Sequence, residues 1–399
     1  MKMLRSYGLP GYLQGAVIAM FFVMSQAFVS LFLASSSKSN HPGTSPLRLA
    51  MSSPLTEGVL DRRTALVGFG SLAGLSSFGY FPRAEAMKEA TNRKFPEWEL
   101  SNAVRMPLLA LNTVALDAKS TELALELAVK EGFTHVDFHP GQERDGVAQY
   151  ISSDPSRRDH LFLTTKIRKA KPGTSPADAA DLARAQIDED LRILNVRQVD
   201  MLMLRDSPDC EVMQSQWAVM EEALAAGKTR SVGVVNFCQG ALECLLETAS
   251  VKPAVNYYML HVGMGPDAHG LRPFCESRGI RTFAYGAVGE PGPNKELLNS
   301  PVLKRIGERH GKSPEEVALR WGIQGGSAVS VRPTTNFGLG SGVCSDKNDC
   351  GAGLKKRAGV FGWSLSQKDM TELDAMTGPD DNPTLFSSAG CPGAFQMPK

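Results

Sequence analysis

Short apolar runs alternate with longer segments of helical period along the chain from about residue 95 onward. Strands are predicted at residues 108–112, 134–138, 161–166, 199–204, 230–235, 254–258, 281–286 and 328–332. Helices are predicted between them at residues 120–131, 176–194, 213–226, 239–247, 271–278 and 314–324. Strands that alternate with helices in this way are typical of parallel βαβ units.

Eight predicted strands in a region of this length favour a closed (β/α)8 TIM barrel. The alternative is an open doubly wound sheet, but no glycine-rich fingerprint follows the first strand. Because a barrel gathers its chemistry at the carboxyl ends of its strands, the residues directly after each strand are the candidates for a functional site.

The first 86 residues predict a targeting region, which leaves residues 87–399 for the barrel. A basic start followed by the apolar run 15–35 is typical of a secretory signal. Residues 35–54 carry hydroxyl groups and cations without acids, as transit peptides do. Arg62 and Arg63 then precede a weakly apolar segment with a small-residue exit, a pattern that resembles a twin-arginine export signal.

This order of signals predicts transport into a plastid with additional envelope membranes and then into the thylakoid lumen. The mature protein would begin near Met87 and would not be embedded in a membrane. One alternative is a protein of the secretory pathway, or one anchored by residues 15–35, because that run is just long enough to span a bilayer. Another is a leader whose apolar runs have no targeting role.

The composition fits an ordinary soluble protein and indicates no nucleic-acid partner. Hydrophobic residues make up 42% and charged residues 21%, and 43 Lys and Arg balance 42 Asp and Glu. The sequence has no paired Cys-x-x-Cys motifs and no Walker loop, so no metal site is predicted. We expect a monomer that acts on a small molecule.

Several segments of the predicted barrel resemble the aldo-keto reductase family, and they follow the family's order. They are residues 106–113, 132–141, 161–166, 191–205, 227–237, 279–289 and 311–324. The resemblance implies reduction of a carbonyl group with NADP(H). In the family a tyrosine protonates the carbonyl oxygen, an aspartate–lysine pair tunes that tyrosine, and a histidine orients the carbonyl.

Half of the catalytic set that the resemblance implies is present. Asp137 matches the aspartate and Lys166 matches the lysine. The tyrosine slot holds Gln142, with Gly141 as the other candidate, and the histidine slot holds Arg205. An amide cannot donate a proton as a phenol does, whereas a guanidinium stays charged and can bind an anion.

The missing phenol leaves the chemistry of the site open. Asp137 and Lys166 are either a surviving catalytic pair or a buried ion pair that only stabilises the barrel. His139, or a water held by Gln142 and Lys166, is a candidate replacement for the proton donor. Tyr150 is a further phenol nearby, although it falls on a predicted helix and is expected to pack there.

The resemblance also implies an NADP(H) site at the strand ends, formed by Thr113, Asn236, Tyr257, Tyr285, Gly286, Thr334 and Thr335. Tyr285 matches the aromatic residue that stacks on the nicotinamide, and Tyr257 stands where the family usually has glutamine. Thr334 and Thr335 replace a lysine and a serine of the 2′-phosphate site. The basic run 355–357 either supplies the missing cations or is an ordinary solvated turn.

An insertion at residues 337–353 contains Cys344 and Cys350. A lumenal address would permit a disulfide between these two cysteines. The alternative is two free thiols in a flexible loop.

The sequence therefore predicts an aldo-keto reductase-like, NADP(H)-dependent oxidoreductase of carbonyl or alcohol groups with altered or reduced catalysis. The alternative is a non-catalytic barrel that binds a nucleotide or an anionic metabolite and serves as a sensor or assembly partner. A purely structural barrel is the third possibility.

Overall fold

A hairpin and eight further strands make up the sheets of the protein. The computed structural model describes residues 95–207, 209–268, 270–289, 294–333, 344 and 347–378. The hairpin consists of β1 (Glu97–Glu99) and β2 (Arg105–Pro107). The other strands are β3 (Leu109–Asn112), β4 (His135–Asp137), β5 (Phe162–Ile167), β6 (Met201–Arg205), β7 (Val232–Val235), β8 (Val255–Met259), β9 (Arg281–Tyr285) and β10 (Ala328–Val331).

These eight strands form a closed barrel in chain order, with β10 returning to pair with β3. Every neighbouring pair in the barrel is parallel. The predicted (β/α)8 barrel is therefore confirmed, and the open doubly wound alternative is wrong.

Helices follow the barrel strands and cover their outer surface. They are α1 (Ala118–Lys130), α2 (Gln142–Ser152), α3 (Pro176–Leu194), α4 (Cys210–Ala225), α5 (Gln239–Thr248), α6 (Leu271–Glu276), α7 (Asn294–Asn299), α8 (Pro301–His310), α9 (Pro314–Gln324), α10 (Lys347–Ala358) and α11 (Gln367–Asp374). Local signals start several of them; α9, for example, begins with a capping box of Ser313 and Glu316 around Pro314. No helix in the described ranges is long and apolar enough to cross a membrane.

The eight predicted strands and the six predicted helices are confirmed, with small shifts at their ends. The expectation of a loop throughout residues 337–353 is wrong for its last part, because residues 347–353 belong to α10. Cys350 and Leu354 lie one helical turn apart and are both buried, so packing stabilises this helix. Its glycines have low helix propensity, and the helix was therefore not predicted from the sequence. The targeting region 1–86, Met87, and most of the insertion lie outside the described residues.

The barrel has an apolar interior and an apolar outer layer, and β6 shows how one strand supplies both. Met201 and Met203 belong to the cluster of buried residues inside the barrel. Leu202 and Leu204 belong to the cluster between the strands and the helices. This alternation follows from the two-residue period of a strand, and it leaves the strand ends free to carry polar groups.

Disulfides join Cys210 to Cys244 and Cys344 to Cys350. The second is the bridge that the sequence left open, and the alternative of two free thiols is wrong. The first connects the start of α4 to α5 and was not predicted, because connectivity cannot be read from cysteine spacing. Cys275 is a free, buried cysteine.

His135 is a neutral histidine inside the barrel. Its Nδ1 donates to the Pro107 carbonyl oxygen at 3.1 Å, so its Nε2 accepts from the Thr164 hydroxyl at 2.7 Å. Complete burial lowers the pKa of His135 to about 4.

We expect acid to destabilise the barrel through His135. Between pH 6.5 and pH 4 the unfolded chain binds a proton that the folded chain does not, so the free energy of unfolding falls as the pH falls. The contribution is about 2 kcal/mol between pH 7 and pH 5. Urea unfolding of wild type and His135→Gln at both pH values measures it. If the free energy of unfolding changed by the same amount between the two pH values in wild type and in His135→Gln, the role of His135 in acid destabilisation would be contradicted.

Candidate active site

The carboxyl ends of β4 and β5 carry a buried ion pair. The Lys166 Nζ donates to Asp137 Oδ1, and it also donates to the Phe138 carbonyl oxygen at 3.2 Å. The side chain of Asp137 is 0% exposed and that of Lys166 is 1% exposed. Because both charges are removed from water, each requires the other.

Tyr257 completes the hydrogen bonding of this carboxylate. Its hydroxyl donates to Asp137 Oδ2 at 2.7 Å and accepts from Asn112 Nδ2 at 3.0 Å. The Ser330 hydroxyl lies 2.6 Å away and acts as a second donor, since the Tyr257 proton is committed to Asp137. Burial, followed by the charge of Asp137, holds the pKa of Tyr257 well above 10. This residue is therefore a neutral phenol at physiological pH.

Tyr257 does not reproduce the tyrosine–lysine contact that the resemblance implies. The Lys166 Nζ lies 5.5 Å from the centre of the Tyr257 ring, and the hydroxyl is bonded to the carboxylate instead. Within the described residues, the Lys166 amine has no hydrogen bond to any phenol.

A cavity of about 230 Å³ opens above this network at the carboxyl ends of the strands. Its polar lining consists of Asn112, His139, Lys166, Arg205, Asn236, Tyr257, Tyr285, Ser330, Arg332 and Arg357, with Val114, Val235 and Val288 among its apolar walls. None of the described residues that line it is an acid. The cavity therefore favours an anionic or strongly polar ligand.

Tyr285 and Asn236 form one wall of this cavity. The Tyr285 hydroxyl donates to Asn236 Oδ1 at 2.9 Å, and the Tyr285 ring packs edge-on against Tyr257 at 5.1 Å between centres. Burial raises the pKa of Tyr285 to about 12. Gly286 follows with a positive φ of 68° and also lines the cavity. The structure thus brings together three of the predicted cofactor residues.

His139 lines the opposite part of the cavity and is held by Glu143. Glu143 Oε2 lies 3.0 Å from His139 Nδ1 and 2.9 Å from the His139 backbone nitrogen. The same carboxylate accepts from the Thr113 hydroxyl and from the Ala115 backbone nitrogen, each at 3.0 Å. Because a carboxylate accepts hydrogen bonds, Nδ1 carries a proton and Nε2 is the ring nitrogen left for a ligand.

Two glycines place Glu143 in this position. The chain leaves β4 through Gly141, whose φ of 111° is strained for any other residue, and enters α2 at once. A Cβ on Gly146 would lie 2.3 Å from the Ala118 carbonyl oxygen, so only glycine lets α2 pack this closely against α1.

The resemblance to the family implied that Gln142 stands in the position of the catalytic tyrosine, but the structure places it elsewhere. It is the first residue of α2, is exposed and does not line the cavity, and Gly141 does not line it either. The tight turn at Gly141 directs residue 142 away from the strand ends. His139 is the residue of this segment that reaches the cavity.

Other predicted site residues have structural contacts of their own. Thr113 is fully buried; its hydroxyl bonds Glu143, and Asn112 lines the cavity in its place. Tyr150 is a buried residue of α2, as expected, and the Arg157 guanidinium lies 4.3 Å from the centre of its ring. Thr334 and Thr335 lie outside the described residues.

The basic run after the insertion is neither a solvated turn nor a set of free cations. Arg357 is buried and paired with Glu315, and it also donates to the Arg332 carbonyl oxygen. Lys356 donates to the same Glu315 at 2.9 Å. Only Lys355 is exposed within this run. Glu315 therefore neutralises much of the charge that was expected for a 2′-phosphate.

Comparison with known proteins agrees with this geometry. The profile of the Aldo/keto reductase family matches residues 109–336. Because the match covers more than half of the chain and the whole barrel, the protein belongs to the aldo/keto reductase family. The resemblance seen in the sequence is thereby confirmed.

Characterised relatives cover most of the barrel at modest identity. The chain is 29% identical over 309 residues to NADPH-dependent codeinone reductase 1-5 of Papaver somniferum, covering 70% of this chain and 88% of the relative. It is 28% identical over 296 residues to glyoxal reductase of Bacillus subtilis (strain 168), covering 72% and 97%. An aldo/keto reductase structure from Brucella melitensis matches with a TM-score of 0.60 at 24% identity, covering 71% of this chain and all of that chain. This structural likeness supports the fold.

Four residues of the site were not predicted from the sequence, namely Glu143, Asn112, Ser330 and Arg332. Glu143 had a usable signal, because it lies four residues after His139 at the start of a helix, where such pairs meet. Ser330 and Asn112 carried none, since their contact depends on β10 closing the barrel against β3.

We expect Tyr257→Phe to lower the free energy of unfolding by about 2 kcal/mol, because Asp137 loses a hydrogen bond to a buried charge. Tyr258→Phe is the matched control. Tyr258 is equally buried, but its hydroxyl contacts the neutral Thr282 hydroxyl at 2.9 Å, so its loss should cost about 1 kcal/mol. Urea unfolding at pH 7 compares them, and an equal or smaller loss for Tyr257→Phe would contradict the network described above.

Proposed function

We propose that the protein is an NADP(H)-dependent reductase of carbonyl compounds in which His139 replaces tyrosine as the proton donor. The observation that carries this proposal is the buried Asp137–Lys166 pair below a cavity lined by His139, Asn236 and Tyr285. The relatives include an NADPH-dependent codeinone reductase and a glyoxal reductase, which supports the same class of reaction.

The cavity lining fits a nicotinamide dinucleotide. Asn236 offers an amide, Tyr285 an aromatic ring, and the cationic lining suits phosphate groups. Tyr257 adds no polar contact to such a ligand, because its hydroxyl is bonded within the protein. A bound NADPH would supply the hydride for the reduction of a carbonyl group.

The proposed roles of the side chains follow from their contacts. Histidine is the residue type that exchanges a proton near neutral pH, and Glu143 orients the His139 ring with Nε2 left for a carbonyl oxygen. Lys166, held by Asp137, places a positive charge near the oxygen on which negative charge develops. Catalysis in this arrangement is altered relative to a tyrosine-based site, because an imidazolium replaces a phenol.

A second function is favoured by one specific observation. No phenol among the described residues is bonded to the Lys166 amine, so the proton-donating arrangement of the family is not reproduced. A barrel that binds NADP(H) or an anionic metabolite without turnover, and acts as a sensor or assembly partner, would need only the cavity.

The two functions are separated by titrating NADPH into the full chain while following its fluorescence, and then assaying a panel of aldehydes. We expect NADPH to bind and aldehydes to be reduced. His139→Gln should lower kcat by about 100-fold or more, the usual contribution of a general acid, and should leave NADPH affinity within about threefold.

Gln142→Ala is the matched control, since Gln142 is an exposed residue nearby that does not line the cavity. Its kcat should stay within about twofold of wild type, the range expected of a surface substitution. Full activity in His139→Gln would exclude the role of His139. NADPH binding without turnover of any aldehyde would support the second function, and no NADPH binding would contradict the reductase.

We also propose that the mature protein resides in the thylakoid lumen of a plastid. The order of the N-terminal signals motivates this location, and the Cys210–Cys244 and Cys344–Cys350 disulfides support an oxidising compartment. Protein recovered from its source cells should begin near Met87 and carry both disulfides, as measured by mass spectrometry without reduction. A product that retains residues 15–35, or in which Cys210, Cys244, Cys344 and Cys350 are reduced, would contradict the lumenal location.

A further inference from the structure

Arg205 is a cation of the cavity that has no carboxylate partner in the described part of the chain. It is the last residue of β6, it is partly buried and it lines the cavity. Its Nε is buried and has no hydrogen-bond partner among the described residues. A guanidinium is costly to desolvate without a partner, so this position calls for an anion from outside the protein.

No neighbouring carboxylate is hydrogen-bonded to Arg205 in the described part of the chain, although Asp206 lies close enough for the two charges to attract. Asp206 follows it directly, but no bond joins the two side chains, and Asp206 Oδ2 accepts from Lys169 at 3.0 Å. Asp206 Oδ1 is itself without a partner among the described residues. Two other cations of the cavity differ from Arg205 in this respect, because Lys166 is bonded to Asp137 and Arg357 to Glu315.

Arg205 lies across the barrel from the strand end that carries Arg332. β6 and β10 are four strands apart in the eight-stranded barrel and therefore lie on opposite walls. Arg332 follows β10, and Tyr285 and Gly286 lie at the end of the neighbouring β9. A dinucleotide that uses the β9–β10 wall leaves Arg205 facing the space for a substrate.

We propose that Arg205 binds the carboxylate of the substrate, so that the protein reduces carbonyl compounds that carry a carboxylate group in preference to neutral aldehydes. A planar guanidinium matches a carboxylate through two parallel hydrogen bonds. The apolar walls at Val114, Val235 and Val288 accommodate the hydrocarbon part of such a molecule.

This inference rests on the proposed function for its chemistry. The carbonyl carbon of the oxo acid receives a hydride from NADPH, which is oxidised to NADP⁺, and the carbonyl oxygen receives a proton from His139. The carboxylate is unchanged, and the product is a hydroxy acid.

The first test measures binding without any reaction. Benzoate and benzamide have the same shape and differ in charge, and isothermal titration compares their affinities for the full chain saturated with NADP⁺ and for the full chain alone. We expect benzoate to bind about 10- to 100-fold more tightly than benzamide, the range of a hydrogen-bonded charge pair. Arg205→Gln should abolish this preference by weakening benzoate alone, and Arg205→Lys should retain part of it.

Lys171→Gln is the matched control, because Lys171 is an exposed cation that does not line the cavity. Lys171→Gln removes one positive charge from the exposed segment after β5. It should leave the affinities for benzoate and for benzamide within about twofold of wild type, as expected for a screened surface charge. Thermal melting of each variant checks that it is folded.

The second test measures specificity. The value of kcat/KM for 4-carboxybenzaldehyde should exceed that for its neutral methyl ester, and Arg205→Gln should reverse or remove the difference. Equal binding of benzoate and benzamide to wild type would overturn the proposal, as would a preference that persists in Arg205→Gln. Tighter competition by inorganic phosphate than by benzoate, or an equal loss of NADP⁺ affinity in Arg205→Gln, would assign Arg205 to a phosphate and would also overturn it.

Failure of the proposed function gives a different result. If the protein reduces no carbonyl compound while its preference for benzoate still depends on Arg205, the carboxylate site stands and the reductase proposal fails.

Discussion

The buried carboxylate of Asp137 is the group on which the rest of the site depends. It carries a negative charge with no access to water, and both of its oxygens are engaged, one by Lys166 and the other by Tyr257. These partners come from β5 and β8, and Asn112 and Ser330 bring in β3 and β10. Removing one partner of a buried ion pair typically costs about 3–5 kcal/mol. Each member of the pair therefore requires the other at the barrel end that forms the floor of the cavity.

The cavity above this floor combines residues that match the family with residues that differ from it. Asn236 and Tyr285 retain a wall suited to a nicotinamide, whereas His139 and Arg205 give the remaining walls a different chemistry. Under the proposed function, His139 would act as the proton donor and Arg205 as the anion site, in place of the phenol and the imidazole that the family resemblance implies. This division of roles suits a substrate with two oxygen-bearing groups of different charge.

Much of the fold was predictable from the sequence because its signals are local. The alternation of Met201, Leu202 and Met203 on β6 predicted a strand buried on both faces. Asp137 and Lys166 were predicted as a pair from the resemblance to the family, because they match its aspartate and its lysine. The position of Gln142 was mispredicted because the length of the turn at Gly141 decides which residue reaches the cavity. The contact of Asn112 with Ser330 depends on closure of the barrel, which no local pattern encodes.

The bonding of Tyr257 also bears on how this site can evolve. Its hydroxyl serves Asp137, Asn112 and Ser330 together, so exchanging it for the family's usual glutamine would disturb three partners at once. Each partner tolerates a change only after the others have adapted, because a buried polar group left unpaired is destabilising. A lineage that acquired this phenol would therefore lose stability on single-step reversion.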